Sequence, residues 1–199
     1  MKKIILIGSA MSLFIFLISC KEQASSPSQG PISADSLVKR GNYLVSSMGC
    51  EDCHSPKKMG PTGPEPDQAN AFGGSPAGMP LPPLAANPAW VMMSMDQTVA
   101  IGPWGTSYAA NISSDSTGIG AWTEQQFSNA LRKGKWKGLD GNRDLQPPMP
   151  WRSYQHLNDE DVKAIFAYLK STKAVKNVVP AYQPPAGPPP PPPPPTASN

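Results

Sequence analysis

The sequence is poor in cysteine, in histidine and in charge of either sign. Its 199 residues include three cysteines and two histidines, and the formal net charge is +3. Three cysteines cannot form the disulfide framework of a small secreted protein. A net charge of +3 is too small to indicate a surface that binds the phosphate backbone of DNA or RNA, which argues against nucleic acid as a partner. Only 39% of the residues are apolar, so a further group has to help fill the interior.

One long hydrophobic run lies at the start of the chain. Lys2 and Lys3 precede residues 4–18, which are almost all apolar. As a helix this run would rise about 22 Å, whereas the hydrocarbon core of a bilayer is about 30 Å thick. The run therefore favours a cleaved export signal over a membrane-spanning helix, and residues 1–19 are predicted to be a signal peptide.

The sequence Leu17-Ile18-Ser19-Cys20 closes this run and resembles the lipobox of bacterial lipoproteins. The resemblance implies cleavage before Cys20 and attachment of lipid chains to that residue, which would anchor the protein stably. The alternative is an ordinary secretory signal with an incidental cysteine. Residues 20–32 are predicted to be the lipidated cysteine and a flexible tether. We expect an exported protein, lipid-anchored to a bacterial membrane and facing the periplasm.

Three segments carry the apolar periodicity of helices, and each is preceded by a residue suited to cap it. Ser33 precedes the first helix, Thr123 the second and Asn158 the third. Gln126 lies three residues after Thr123, where it completes a capping box, and Gly134 supplies the stop. The pattern predicts an all-α fold class with three main helices.

Proline-rich segments separate and follow these helices. Residues 55–88 contain nine prolines and five glycines, which exclude a continuous helix or a central strand. Residues 89–112 are predicted to contain a short hairpin. A loop this long is expected where the chain wraps a large prosthetic group. Residues 184–199, with an octaproline at 188–195, are predicted to be a disordered tail.

The five residues from Cys50 to His54 read C-E-D-C-H, the attachment sequence of c-type haem. Two thiols three positions apart, on one helical turn that ends the first helix, can each add to a haem vinyl group. His54 then presents its imidazole to the iron. Two alternatives are a thioredoxin-like dithiol, which would need a βαβ context, and a zinc site that includes Cys53 and His156.

Several blocks of the sequence resemble the monohaem class I c-type cytochrome domains of bacteria. They are R-G-N-Y-L-V before the C-x-x-C-H-S-P motif, T-G-I-G-A-W-T-E-Q-Q-F-S-N-A-L-R-K-G, L-Q-P-P-M-P-W, and L-N-D-E-D-V-K-A-I-F-A-Y-L-K-S. The likeness is greatest to lipoprotein forms and to the repeated domains in cytochrome subunits of membrane-bound alcohol and gluconate dehydrogenases. It implies a cytochrome c fold over residues 33–183, with three main helices and long proline-rich loops around one covalently attached haem c.

The resemblance also implies that Met149 is the distal ligand of the haem iron. Met149 lies in P-P-M-P, where the prolines restrict the backbone and can hold a thioether in place. His156 is the alternative, as a second histidine ligand. Other methionines are weaker candidates, because Met48 belongs to an apolar helix face and residues 92–95 are expected to pack in a loop; copper(I) binding is the less favoured reading of that cluster. Met59 and Met79 are the remaining methionine candidates for the distal ligand.

The ring N–H of His54 that faces away from the iron is expected to donate to a backbone carbonyl, as is general for metal-bound histidines. In the family this carbonyl often belongs to a proline of the following loop, and Pro61 and Pro64 are the candidates. The remaining walls of the haem pocket are predicted to be Trp104, Tyr108, Trp122, Phe127, Leu145 and Trp151.

Two further contacts are predicted. Gly41 and Tyr43 of the first helix are expected to pack against Phe166 and Tyr168 of the last. The basic residues around Trp136 form either a solvated helix end or a docking face for an acidic redox partner. These residues are Arg132, Lys133, Lys135 and Lys137.

The predicted function is that of a membrane-anchored carrier of single electrons between respiratory or dehydrogenase partners. With His54 and Met149 both on the iron, no site is open for a substrate, so the protein is predicted not to be an enzyme. One alternative is a haem enzyme or ligand sensor with a labile distal methionine. Another is a cytochrome subunit docked permanently to a dehydrogenase or oxidase.

Overall fold

The computed structural model describes residues 33–81 and 90–185, which contain five α-helices and two small antiparallel sheets. The helices are α1 (Ala34–Ser47), α2 (Cys50–His54), α3 (Glu124–Lys133), α4 (Trp151–Tyr154) and α5 (Asp159–Ser171). The strands are β1 (Lys57–Gly60), β2 (Gly63–Pro66), β3 (Met92–Met93), β4 (Val99–Gly102) and β5 (Gly105–Tyr108). The predicted signal peptide, Cys20, the tether and the octaproline lie outside the described residues. None of the helices described is long and apolar enough to cross a membrane.

The first helix begins as predicted but ends before the cysteine motif. The Ser33 hydroxyl accepts from the amide of Ser36 at 3.2 Å, which confirms the N-cap. At the other end Gly49 adopts a left-handed conformation with φ of +67°. Glycine adopts such a conformation without steric cost, and it ends α1 here. The C-x-x-C-H motif therefore lies on a separate helix, α2, rather than at the end of α1.

The caps of the second and third predicted helices are also confirmed. The Thr123 hydroxyl accepts from the amide of Gln126 at 3.2 Å, and the Gln126 side chain accepts from the amide of Thr123 at 3.0 Å. Gly134 ends α3 with φ of +66°. Asn158 caps α5 by accepting from the amide of Asp161 at 2.7 Å.

Helices α1 and α5 pack closely through Gly41. A Cβ atom at Gly41 would lie 2.6 Å from Cβ of Tyr168 and would also overlap the carbonyl oxygen of Ala164. The predicted contact of Gly41 is therefore confirmed. The expectation for Tyr43 is wrong, because 62% of its surface is exposed and its ring lies beneath the Arg40 guanidinium, with 5.6 Å between the carbon of that group and the ring centroid. The crossing of α1 and α5 needs a residue without a side chain at Gly41, whereas the ring of Tyr43, two positions later, faces solvent.

The apolar core lies between α1, α3 and α5. Its aromatic members pair across elements, with Phe127 against Phe166 at 5.1 Å between ring centroids and Phe72 edge-on to Tyr168 at 6.2 Å. The buried cluster consists of Leu44, Val45, Phe72, Ile119, Phe127, Leu131, Val162, Ala164, Ile165 and Leu169.

The expectation of an all-α fold has to be corrected, because strands occupy part of the proline-rich loop. Strand β1 pairs with β2, and Pro64 and Pro66 lie in β2 opposite Met59 and Lys57. Prolines fit here because each strand of a two-stranded sheet has a free edge that needs no N–H donor. The predicted hairpin within residues 89–112 is confirmed as β4 and β5, with the short β3 beside β4.

The chain after α5 runs back over these loops and ties them together. The side chain of Asn177 donates to the carbonyls of Gly73 and Ser75, each at 2.8 Å, and accepts from the amide of Ala77 at 3.1 Å. Further on, Gln183 exchanges two backbone hydrogen bonds with Thr106 of β5, at 2.8 and 3.0 Å. We call residues 172–185 the C-terminal segment.

Candidate haem-binding site

Helix α2 presents two thiols from a single turn. Cys50 and Cys53 are both free and partly buried, and their spacing of three residues places them on one side of the helix. Burial raises the pKa of the Cys50 thiol to about 11 and raises the pKa of Cys53 as well. Both groups are therefore protonated at neutral pH. A redox-active dithiol needs a lowered thiol pKa, so the thioredoxin-like alternative is not supported.

The imidazole of His54 is held by a backbone carbonyl. Its Nδ1 lies 2.7 Å from the carbonyl oxygen of Ala110. Because a carbonyl can only accept, the proton is assigned to Nδ1, and Nε2 keeps its lone pair for a metal. Burial lowers the pKa of His54, against the opposing effect of this hydrogen bond, so the ring is neutral at pH 7. The acceptor is neither Pro61 nor Pro64, which are exposed around the β1–β2 hairpin.

The position of Ala110 is itself fixed by the neighbouring loops. The amide of Ala109 donates to the carbonyl of Thr98 at 2.8 Å, and the carbonyl of Ala109 accepts from the amide of Ser75 at 2.9 Å. The carbonyl of His54 accepts from the amide of Gly74 at 2.8 Å. The histidine is thus held at both its ring and its backbone by one set of loops.

Met149 points inward from an otherwise exposed turn. It is partly buried and packs against the apolar core, whereas Pro147, Pro148 and Pro150 around it are exposed. Cys50 packs against the same core cluster. The core therefore connects the helix that carries the thiols with the segment that carries the predicted distal ligand.

The competing ligands are placed less favourably. His156 is exposed, and its Nε2 lies 3.2 Å from the side-chain nitrogen of Gln155. Met48 packs against the core, as expected. The expectation that residues 92–95 pack in a buried loop is wrong for Met93 and Met95, whose exposed fractions are 44% and 77%. The physical reason is that β3 is only two residues long and leads directly into an exposed turn.

Tyr154 is a residue of this region that the sequence reasoning missed. Burial raises the pKa of Tyr154 to about 12, and its side chain packs against the same core cluster as Cys50. The sequence signal for Tyr154 was its spacing of three residues from Trp151, which places both on one face of the short helix α4. The Trp151 ring in turn lies against Gly134, where a Cβ atom would overlap it.

Most of the predicted pocket walls border the interior without being buried in it. Phe127 is the exception, since it belongs to the core with 6% of its surface exposed. The others are partly buried: Trp104, Tyr108, Trp122, Leu145 and Trp151. Their contact with a haem stays a prediction.

Three of the four basic residues at the end of α3 and just beyond it are paired with carboxylates within the domain. Lys135 lies 2.7 Å from Asp144, and Lys133 lies 3.6 Å from Asp140. Arg132 pairs with Asp159 of α5. The observed pairing favours a solvated helix end over a free cationic docking face.

These residues fit a covalently bound haem in the chemistry of their donor groups. The helical turn offers two protonated thiols and a neutral imidazole with a free nitrogen, and the core offers an inward thioether. Within residues 33–81 and 90–185, no group of three or more cysteine, histidine, aspartate and glutamate side chains is arranged to hold a metal ion. The zinc alternative with His156 therefore has no support.

The fold and the site define a mainly helical domain whose short cysteine-containing turn has the donor groups that suit a covalent haem. The chain belongs to the cytochrome c family, whose family model matches residues 38–173. It accordingly binds haem c covalently, and Cys50 and Cys53 fit the attachment motif. The family membership also confirms the resemblance inferred from the sequence.

Curated relatives include cytochrome subunits of dehydrogenases. The chain is 36% identical over 135 residues to the gluconate 2-dehydrogenase cytochrome c subunit of Pantoea cypripedii, covering 67% of this chain and 23% of that protein. It is 31% identical over 164 residues to the fructose dehydrogenase cytochrome subunit of Gluconobacter japonicus, covering 81% and 27%. It is 30% identical over 135 residues to the cytochrome c subunit of the quinone-dependent alcohol dehydrogenase of Gluconobacter oxydans, covering 67% and 21%. The chain thus spans about a quarter of the length of these relatives.

Proposed function

We propose that this cytochrome is a membrane-anchored carrier that passes single electrons through a haem with His54 and Met149 as axial ligands. The observation that carries the proposal is the hydrogen bond between Nδ1 of His54 and the carbonyl of Ala110, at 2.7 Å. It leaves Nε2 as the only ring nitrogen able to bind iron. When bound, the haem iron supplies a one-electron couple between its ferric and ferrous states.

The residues of the chain have distinct tasks in this proposal. Cys50 and Cys53 would hold the haem covalently, each thiol adding across one vinyl group so that its sulfur bonds to one carbon and its hydrogen goes to the neighbouring carbon. Met149 supplies a neutral thioether, which favours ferrous iron and raises the reduction potential. With both axial positions filled by side chains, the site is suited to electron transfer rather than to substrate turnover.

The relatives and the N-terminal motif support the remaining parts of the proposal. The named relatives are cytochrome subunits of gluconate, fructose and alcohol dehydrogenases, which supports a dehydrogenase or respiratory complex as the redox partner. The lipobox-like sequence that ends in Cys20 supports an exported protein. A lipid anchor there would hold the haem domain at the periplasmic face of a membrane.

The ligand assignment is tested with Met149→Leu in the full-length, haem-loaded protein. We expect covalent haem to be retained, because the thioether bonds and His54 are untouched. The methionine–iron charge-transfer band should disappear from the ferric spectrum. The reduction potential should fall, because the variant lacks the methionine thioether that raises it.

The matched control is Met95→Leu, which makes the same change at a side chain that is 77% exposed. It should leave both the band and the potential unchanged. A Met149→Leu protein that keeps the band would show that another residue is the ligand. Rapid carbon monoxide binding by the unaltered protein would favour a ligand sensor or haem enzyme with a labile methionine.

A further inference from the structure

We infer that Ser107 is a positioning residue for Met149, an inference that rests on the proposed function. Ser107 lies in β5, and its hydroxyl is 2.6 Å from the carbonyl oxygen of Pro147. Pro147 is two residues before Met149. The contact therefore joins the β4–β5 hairpin directly to the backbone of residues 147–150, which we call the ligand segment.

This bond matters because the ligand segment has few ways to attach itself to the domain. Pro147, Pro148 and Pro150 have no N–H, so Met149 carries the only amide donor in residues 147–150. That donor is used locally, toward the carbonyl of Gln146 at 3.4 Å. Backbone hydrogen bonds from the segment to other parts of the domain must therefore be made by its carbonyls.

The direction of the Ser107 hydrogen bond follows from its neighbours. The indole N–H of Trp104 lies 3.3 Å from the Ser107 oxygen and can only donate. The serine has a single hydroxyl hydrogen and two carbonyls within reach, Pro147 at 2.6 Å and Ala100 at 3.2 Å. The shorter contact takes the hydrogen, so Ser107 accepts from Trp104 and donates to Pro147.

The C-terminal segment fixes the hairpin from the other side. The Tyr182 hydroxyl donates to the carbonyl of Trp104 at 2.5 Å. The adjacent Gln183 pairs with Thr106 of β5. A chain of hydrogen bonds thus runs from Tyr182 through Trp104 and Ser107 to the segment that carries Met149.

The same stretch of chain also supports the proximal side. Ala110, which accepts from His54 at 2.7 Å, lies three residues after Ser107. These two supports make separate bonds, so removing the Ser107 hydroxyl should loosen Met149 while His54 stays in place. A general loss of folding would affect both sides.

The test is Ser107→Ala in the full-length, haem-loaded protein, titrated with free imidazole as a competitor for the Met149 position. Loss of the methionine–iron band reports displacement. We expect imidazole to bind about five- to tenfold more tightly to the variant, the factor that corresponds to loss of one hydrogen bond of ordinary strength. The reduction potential should fall, and covalent haem content should not change. Ser107→Thr keeps a hydroxyl and should restore the original affinity.

The matched control is Ser171→Ala, which removes a hydroxyl that donates to the carbonyl of Tyr168 at 2.7 Å at the end of α5. It should leave imidazole binding unchanged. Equal imidazole affinity for Ser107→Ala and the unaltered protein, or an equal change in Ser171→Ala, would overturn the inference.

A second variant covers the case in which Ser107→Ala does not fold. Trp104→Phe keeps an aromatic ring but removes the donor to Ser107, and it should shift imidazole affinity in the same direction by a smaller factor. No shift in that variant would overturn the inference. The two proposals fail in different ways. If the unaltered protein has no methionine–iron band, the ligation by Met149 is contradicted. If the band is present but imidazole displaces it equally well in the unaltered protein and in these variants, only the role of Ser107 is contradicted.

Discussion

Gly41 shows how a single side chain can limit the approach of two helices. Alanine at this position would place a methyl group 2.6 Å from Cβ of Tyr168 and into the carbonyl of Ala164. We expect Gly41→Ala to lower the free energy of unfolding by about 1–3 kcal/mol. The strain outweighs the gain of up to about 1 kcal/mol that alanine gives a helix. Denaturant titration followed by circular dichroism measures the change.

The control for this prediction is Gly141→Ala. No heavy atom lies within 4 Å of the Cβ position at Gly141, so the substitution should change stability by no more than about 0.5 kcal/mol. An unchanged free energy of unfolding in Gly41→Ala would mean that α1 and α5 can separate without cost.

Individual residues were predictable where the signal is local. Ser33, Thr123 and Asn158 were identified as caps because capping joins residues three positions apart. The acceptor for His54 was not identified, because Ala110 lies 56 positions away and acts through a backbone carbonyl. Every residue type has a backbone carbonyl, so the identity of residue 110 gives no sequence signal that it accepts from His54.

At the scale of elements, the C-terminal segment acts as a clasp through Asn177. Its side chain makes three hydrogen bonds to the loop of residues 73–77. Asn177→Ala would leave two partly buried carbonyls and one amide without this partner. We expect a loss of about 2–3 kcal/mol in the free energy of unfolding, at roughly 1 kcal/mol for each bond, measured by urea titration.

The comparison for this clasp is Asn142→Ala, in which the side chain loses one hydrogen bond, to the carbonyl of Trp136 at 2.9 Å. That variant should lose about 1 kcal/mol or less. If the two variants were equally stable, the clasp would contribute no more than an ordinary surface contact.

The helices were easier to predict than the sheets. Periodicity and caps located α1, α3 and α5, but residues 57–66 contain three prolines, which normally argue against a strand. The β1–β2 hairpin forms there because both strands are edges, a property that depends on the surrounding structure. The break at Gly49 was also missed, since the cysteine motif continues the helical pattern on its far side.

At the scale of the whole molecule, the proposed lipid anchor separates location from chemistry. Cys20→Ser should prevent lipid attachment and release the protein from membranes into the soluble periplasmic fraction. Cell fractionation with immunoblotting measures this shift. The haem spectrum should be unchanged, because Cys50 and Cys53 carry the attachment motif.

Cys53→Ser provides the reciprocal control, since it should reduce covalent haem while leaving the protein with the membrane. A Cys20→Ser protein that stays with the membrane after a high-salt wash would contradict the lipid anchor. It would leave the haem assignment untouched.

The overall architecture was predicted as far as a haem-binding domain with helices around an apolar core. The motif from Cys50 to His54 carried most of that information, because attachment chemistry requires those residue types at that spacing. The links between distant loops were not predictable, since Asn177, Ser107 and Tyr182 act on backbone groups far away in sequence.

The closure of the hairpin by the C-terminal segment has a consequence for the order of folding. The turn from Cys50 to Cys53 involves contacts only three residues apart, whereas the contact between Trp104 and Tyr182 joins positions 78 apart. Contacts of such sequence separation form late, because their loop-closure entropy is lost before they stabilise the chain. The local turn that carries the two cysteines can therefore form before residues 182 and 183 dock against the hairpin.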